Sequence, residues 1–114
     1  MSQRDPLVAL RHMLDHAREA VELSGGKTRE DLDADRLLQL ALSRLVEIIG
    51  EAASRVSPEI QNRHPSLPWR EAIGARNRLI HGYDFVDRDI LWEIVATDLP
   101  ALIPLVEGVL EREE

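Results

Sequence analysis

Apolar side chains recur at three- and four-residue intervals along most of this chain, and no stretch alternates apolar with polar residues as a strand would. Side chains three and four apart share a helix face, whereas a half-buried strand needs a period of two. That pattern confines the chain to an all-α architecture. Leu7, Leu10, Leu14, Ala17 and Val21 mark one face of a helix predicted over about residues 5–23, which Ser24-Gly25-Gly26 stops. Thr28 to Asp31 reads as a capping box opening a short helical turn. A second long helix is predicted over about residues 33–56. Leu38, Leu42, Leu45, Ile49, Ala52 and Val56 form its apolar side, and Leu37, Leu40, Val46 and Ile48 widen the stripe. A stripe that wide asks for two neighbours, either two helices of the same chain or a second subunit.

Ser57-Pro58 ends that helix, and residues 58–63 read as a short helical turn before a connector framed by Pro65 and Pro68. Pro68 suits the first position of the next helix, where a missing N–H costs nothing. That helix is expected to point Trp69, Ile73 and Ile80 inward and to end at Gly82, a residue suited to the left-handed position after a helix. Asp87 caps a last helix running to about Glu111, bent or interrupted at Pro100 and Pro104. The expectation is one domain over residues 1–114: four or five helices in an antiparallel bundle, paired as a homodimer.

Composition narrows the chemistry. The chain has 114 residues, enough for one core, with 44% apolar and 31% charged residues. Cysteine is absent, which removes disulfides, thiolate catalysis and cysteine-based zinc sites together. The first residues contain no apolar stretch of the signal-peptide kind, and no apolar run approaches the ~18 residues of a membrane helix. A cytoplasmic protein with no membrane partner is expected. Net charge is −7, from 21 acids and 14 bases, which taken alone argues against nucleic acid. Yet all the basic residues except Lys27 are arginines, and Arg55, Arg63, Arg70, Arg76 and Arg78 crowd the middle of the chain. Arginine's planar fork suits phosphate, so a local basic site on an acidic body is open. A set of solvated helix faces explains the same residues.

Several patterns lead nowhere. Gly26-Lys27-Thr28 looks like the end of a phosphate-binding loop, but Val21 stands where the motif needs glycine and no strand precedes it. His12 and His16 are spaced to face zinc from one helix, with Glu19 a turn further. No third ligand group is evident elsewhere, a polar outer face explains them equally, and no metal or other cofactor is expected. His64, in the connector, reads as a surface residue. Glu47 and Glu51 are embedded in an apolar helix and call for a partner, most simply an arginine on the neighbouring helix. That pair could be structural or could orient a catalytic arginine. Gly50 between them costs about 1 kcal/mol in a helix interior, which points to a close helix approach.

The richest segment is Arg76-Asn77-Arg78-Leu79-Ile80-His81-Gly82-Tyr83. On a helix reaching Gly82, Asn77 and His81 share a face and His81 occupies the last turn, where the dipole favours imidazolium. Tyr83 adds a phenol at the same end. A helix ending in a favourable His-Gly cap with a packed tyrosine is the plain alternative. Arg11 and His16 have the same spacing as Arg76 and His81, so the spacing alone has little specificity.

Arg76-x4-His81-x-Tyr83 resembles the R-x4-6-H motif of HEPN-superfamily ribonucleases, in the HepT-like branch where it extends to R-x4-H-x-Y. The likeness covers most of the chain. Glu47 to Ala53 resembles that branch's second helix, Arg63-His64-Pro65 with Pro68-Trp69-Arg70-Glu71 resembles the lead-in to its motif helix, and Asp98-Leu99-Pro100 resembles its last helix. The resemblance implies an all-α homodimer whose cleft combines two motif helices and cuts RNA without a metal, the ribose 2′-OH attacking the adjacent phosphate. It makes His81 the general acid/base, Arg76 the phosphate and transition-state clamp, and Asn77 the residue orienting phosphate or imidazole. Arg78 and Glu51 take supporting, RNA-binding places. Relatives in this branch are toxins paired with a small nucleotidyltransferase antitoxin, by type VII-like logic, and Tyr83 would be the residue carrying AMP. The rival expectation is a noncatalytic helical dimer that binds a nucleotidyltransferase partner or nucleotide. It gains if Arg76 is consumed by an ion pair with Glu47 or Glu51.

Overall fold

A computed structural model describes residues 5–80 and 86–114, and every described element is helical. Helix α1 spans Val8–Ser24, α2 Arg29–Ala34, α3 Arg36–Ser54, α4 Pro58–Arg63, α5 Trp69–Leu79 and α6 Arg88–Glu93; a π-helical turn over Ile94–Asp98 then leads into α7, Leu99–Glu113. Three of the short helices start as the sequence dictates. Thr28 and Asp31 close the capping box reciprocally, and Ser57 and Asp87 accept from Ile60 and Ile90 N–H groups. The long helix expected over residues 33–56 is divided at Asp35. Its extended backbone ends α2, and its carboxylate accepts from the Leu38 N–H to start α3.

The bundle packs α3 against both α1 and α5, with α7 against α1. Both neighbours that the wide α3 stripe asked for therefore come from this chain. Leu38, Leu42, Leu45, Ile49, Ala52 and Val56 are all buried, as is Val46. Leu37 and Leu40 are not: they are 78% and 50% exposed, on the outer face of α3. Burying Leu, Ile and Val at ~25 cal/mol per Å2 is what drives the helices together. No described helix is long and apolar enough to cross a membrane.

Gly50 does what its position implied. A Cβ there would stand 3.1 Å from the Ala72 carbonyl oxygen and 3.2 Å from that of Ile73, so α3 and α5 are in backbone contact at this point. The close approach brings Ile73 over the outer edge of α3, where it is 37% exposed rather than inward. Trp69, by contrast, is buried, and its indole N–H donates to the His64 carbonyl oxygen at 2.9 Å.

Two further departures concern helix ends. Pro68 caps α5 from outside instead of opening it. At the other end α5 stops at Leu79: Ile80 is extended (φ −97°, ψ 123°), forms an antiparallel bridge with Val86, and the Asp87 N–H donates to the Leu79 carbonyl oxygen at 2.7 Å. The helix that the sequence carried to Gly82 thus ends earlier, because β-branched Ile80 takes a strand-like pairing in place of another turn. In the last helical segment Pro100 lacks the N–H a regular helix would use. The preceding turn is widened, with the Leu99 N–H reaching back to the Ile94 carbonyl oxygen.

Ion pairs fasten the periphery. Arg29 on α2 donates to Asp33 and to Asp89 of α6, both at 2.7 Å, while Arg88 Nε donates to Asp33 at 2.7 Å. Arg63 grips Glu113 of α7 through Nε and Nη2 at 3.0 and 2.7 Å, and His64 Nε2 lies 2.7 Å from the same carboxylate. These hydrogen bonds, chiefly Arg63's and then His64's, lower the Glu113 carboxyl to a pKa of about 2. His64 is therefore a latch residue with a largely covered side chain, not a loose surface imidazole.

A polar groove between α3 and α5

Residues spaced three and four apart on α3, namely Arg44, Glu47, Ile48, Glu51 and Arg55, face outward beside Ile73, Arg76 and Asn77 of α5. Together with His12 of α1 they line an open groove of about 630 Å3. The Gly50 contact sets its depth, since a larger residue there would push α5 away from α3.

Glu47 is the pivot. Its Oε2 accepts from Arg76 Nε at 2.9 Å, and its Oε1 accepts from Arg44 one turn earlier on the same helix. Arg76's hydrogen bond is the main cause holding this carboxyl below the usual carboxylate range, with Arg44 adding to it against the cost of partial burial. Glu47 therefore stays ionised at neutral pH and fixes the direction of the Arg76 side chain. The bond runs through Nε, and the Arg76 side chain remains 51% exposed at the groove. A phosphate entering there meets a guanidinium already aimed, but one whose charge is shared with a carboxylate.

The structure brings Arg76, Asn77 and Glu51 into one groove and places Arg78 elsewhere. Two positions on from Arg76, Arg78 points to the opposite flank of α5. There it stands 3.5 Å from Asp98 and rims an apolar cleft of about 290 Å3 lined by Val46, Ile49, Ala72, Ala75, Leu102 and Leu105, among others. His81 and Tyr83 lie outside the described residues. The expectation that His81 occupies a last helical turn and shares a helix face with Asn77 falls outside them as well, while α5 as described ends at Leu79.

The sequence reading did not place three groove residues beside Arg76. Arg44 and Arg55 were recoverable from α3's own period, since 44, 47, 51 and 55 share one face. His12 was not, because only the packing of α1 on α3 brings it there. The zinc idea for His12 and His16 finds no third ligand: no group of three or more His, Cys, Asp or Glu side chains suited to a metal occurs among the described residues. His16 Nδ1 instead donates to the His12 carbonyl oxygen at 2.7 Å.

Comparison with known proteins adds a family. The sequence model of the HepT-like ribonucleases matches residues 13–109. A candidate RNase of Caldanaerobacter subterraneus subsp. tengcongensis is 34% identical over 97% of this chain and 99% of its own length. One from Methanocaldococcus jannaschii is 34% identical over 96% of this chain and all of its own. A Thermococcus cleftensis protein named "Probable ribonuclease HepT" is 41% identical over 78% of this chain and 84% of its own. No solved structure matches the chain.

Proposed function

Since the chain belongs to the HepT-like ribonuclease family, we propose that it is a metal-independent endoribonuclease that cuts RNA at the α3–α5 groove. In this reading the ribose 2′-OH attacks the adjacent phosphate, forming a new P–O bond as the bond to the departing 5′-oxygen breaks. One group takes the proton from the 2′-OH and one gives a proton to the 5′-oxygen. His81 is assigned to this proton transfer, which is worth roughly 100- to 10,000-fold in rate. Arg76 binds the phosphate and stabilises the charge that grows on its oxygens, a contribution of about 3 kcal/mol for one well-placed donor. Asn77, the next residue on α5, orients the phosphate or the imidazole.

The observation that carries this reading is Arg76 held half exposed in a groove with Asn77 and two further arginines, within a chain of net charge −7. Such a groove answers the objection from overall charge, because phosphate meets a local excess of arginine. Pairing of two copies would set two histidines and two arginines over one cleft, one imidazole to accept a proton and one to donate. Sedimentation of a strictly monomeric species at micromolar concentration would remove that composite site.

As biological context we assign the chain to a toxin–antitoxin pair with a small nucleotidyltransferase, which adds AMP to Tyr83. A nucleotide there would place bulk and negative charge within two residues of His81. Mass spectrometry after co-expression with the partner checks this; an unmodified Tyr83 rules that route out. A noncatalytic binding module draws support from the Arg76–Glu47 ion pair. The two readings separate in one experiment: cleavage of total RNA in EDTA by wild type, Arg76→Ala and His81→Ala, with the intact mass of each preparation measured. Cleavage by wild type alone is expected. Three equally inert, unmodified proteins would favour the binding module.

A further inference from the structure

The groove has two unlike ends. At one end Arg76 and Arg44 share the single carboxylate of Glu47. At the other, Arg55 closes α3 beside Ser54, and no ion pair is formed by Arg55 among the described residues. Arg55 is exposed, and the exposed imidazole of His12 lines the same groove. Glu51 is the carboxylate between the two ends, with Ile48 and Ile73 giving apolar surface on which a base can lie. From Glu47, which holds Arg76, to Arg55 the axis of α3 runs about 12 Å at ~1.5 Å per residue. One strand covers that distance in three or four nucleotides at its stacked rise of ~3.4 Å, fewer when extended.

An uncommitted guanidinium at the far end of a groove has a specific chemical use. Arg76 must release part of its hold on Glu47 to engage a phosphate fully, whereas Arg55 forms no such ion pair among the described residues. We propose that Arg55, flanked by His12, forms a second phosphate subsite, binding a backbone phosphate of single-stranded RNA a few nucleotides from the one clamped at Arg76. The inference rests on the ribonuclease reading of the same groove and adds a residue that grips substrate without taking part in the bond exchange. It makes the enzyme sensitive to RNA length: a dinucleotide reaches only the Arg76 end, and a hexanucleotide spans both.

Binding of 2′-O-methyl oligonucleotides tests this apart from cleavage, since they lack the attacking hydroxyl. Fluorescence anisotropy with di- and hexanucleotides is measured for wild type, Arg55→Ala, Arg55→Lys and Arg112→Ala, the last removing an arginine that does not line the groove. Arg55→Ala is expected to weaken the hexanucleotide about tenfold and to reduce the slope of log K against log salt by about 0.7, the loss of one single-strand phosphate contact. Arg55→Lys keeps the slope, and the dinucleotide is unaffected throughout. Equal hexanucleotide affinity and slope in wild type and Arg55→Ala would overturn the subsite. So would a wild type that binds neither oligonucleotide; the EDTA cleavage assay then decides separately whether the ribonuclease reading falls as well.

Discussion

The two flanks of α5 differ sharply, although one helix of eleven residues carries both. On one flank Ile73, Arg76 and Asn77 meet a row of charged side chains from α3 across a wide, open groove. On the other, Ala72 and Ala75 face apolar side chains of α3 and α7, with Arg78 and Asp98 at the rim. Arg76 and Arg78 are two residues apart, about 200° around the helix, and so they belong to different environments. What stands opposite each arginine sets its surroundings, and composition alone does not distinguish the two.

The sharpest way to break that contrast is to truncate each arginine in turn. Arg76→Ala should lower the single-turnover cleavage rate about 100-fold, matching the ~3 kcal/mol of one charged donor. Arg78→Ala should change it less than about threefold and, as an exposed pair with Asp98, cost at most ~1 kcal/mol of stability. Equal losses would mean that the flanks are not functionally distinct. The glycines give a second contrast, read by denaturant unfolding. Gly50→Val drives methyl groups into the Ala72 and Ile73 carbonyls and should destabilise by about 1–3 kcal/mol, widening the groove as it does so. Gly74, on α5 itself, has nothing within 4 Å of its would-be Cβ, so Gly74→Ala should stabilise by ~0.5–1 kcal/mol.

Within the polar flank, Glu47→Ala should reduce kcat about tenfold, because an arginine freed from its guide populates unproductive directions. KM for a short RNA should hold or fall, since the phosphate loses its rival for Arg76. A rise in KM at constant kcat would instead make Glu47 part of the binding surface. The smallest effect belongs to the connector leading into α5. Glu113 has its folded pKa depressed from 4.5 to about 2, so the latch's contribution is complete above 4.5 and disappears as pH falls from there toward 2. Glu113→Gln should lower Tm modestly at neutral pH and remove this component of the acid dependence, leaving wild type and variant closer together near pH 2.

Much of the scaffold was legible in the sequence because burial and helical period reinforce each other. Leu38, Leu42, Leu45 and Ile49 identify α3's inner face, and Gly50 announces the helix contact that sets the groove. The Glu47–Arg76 pair was likewise implied by an acid set in an apolar helix. Misreadings arose where tertiary pairing overrode local preference. Ile80 leaves the helix for its bridge with Val86, Ile73 is displaced outward by the close approach at Gly50, and Asp35 interrupts a stripe whose periodicity runs on through it. Which flank Arg78 takes, and that His12 joins the groove, follow from packing between helices and have no local signature.

The latch at Glu113 also has a bearing on timing. His64, whose carbonyl oxygen anchors the indole of Trp69 at the start of α5, is followed 49 residues later by the carboxylate that steadies it. The groove's second wall, α5, is complete in sequence at Leu79, before the last helix that carries this carboxylate. A chain in which the last helix has not yet packed therefore folds this wall without its fastening, and the groove is firmly framed only once α7 docks.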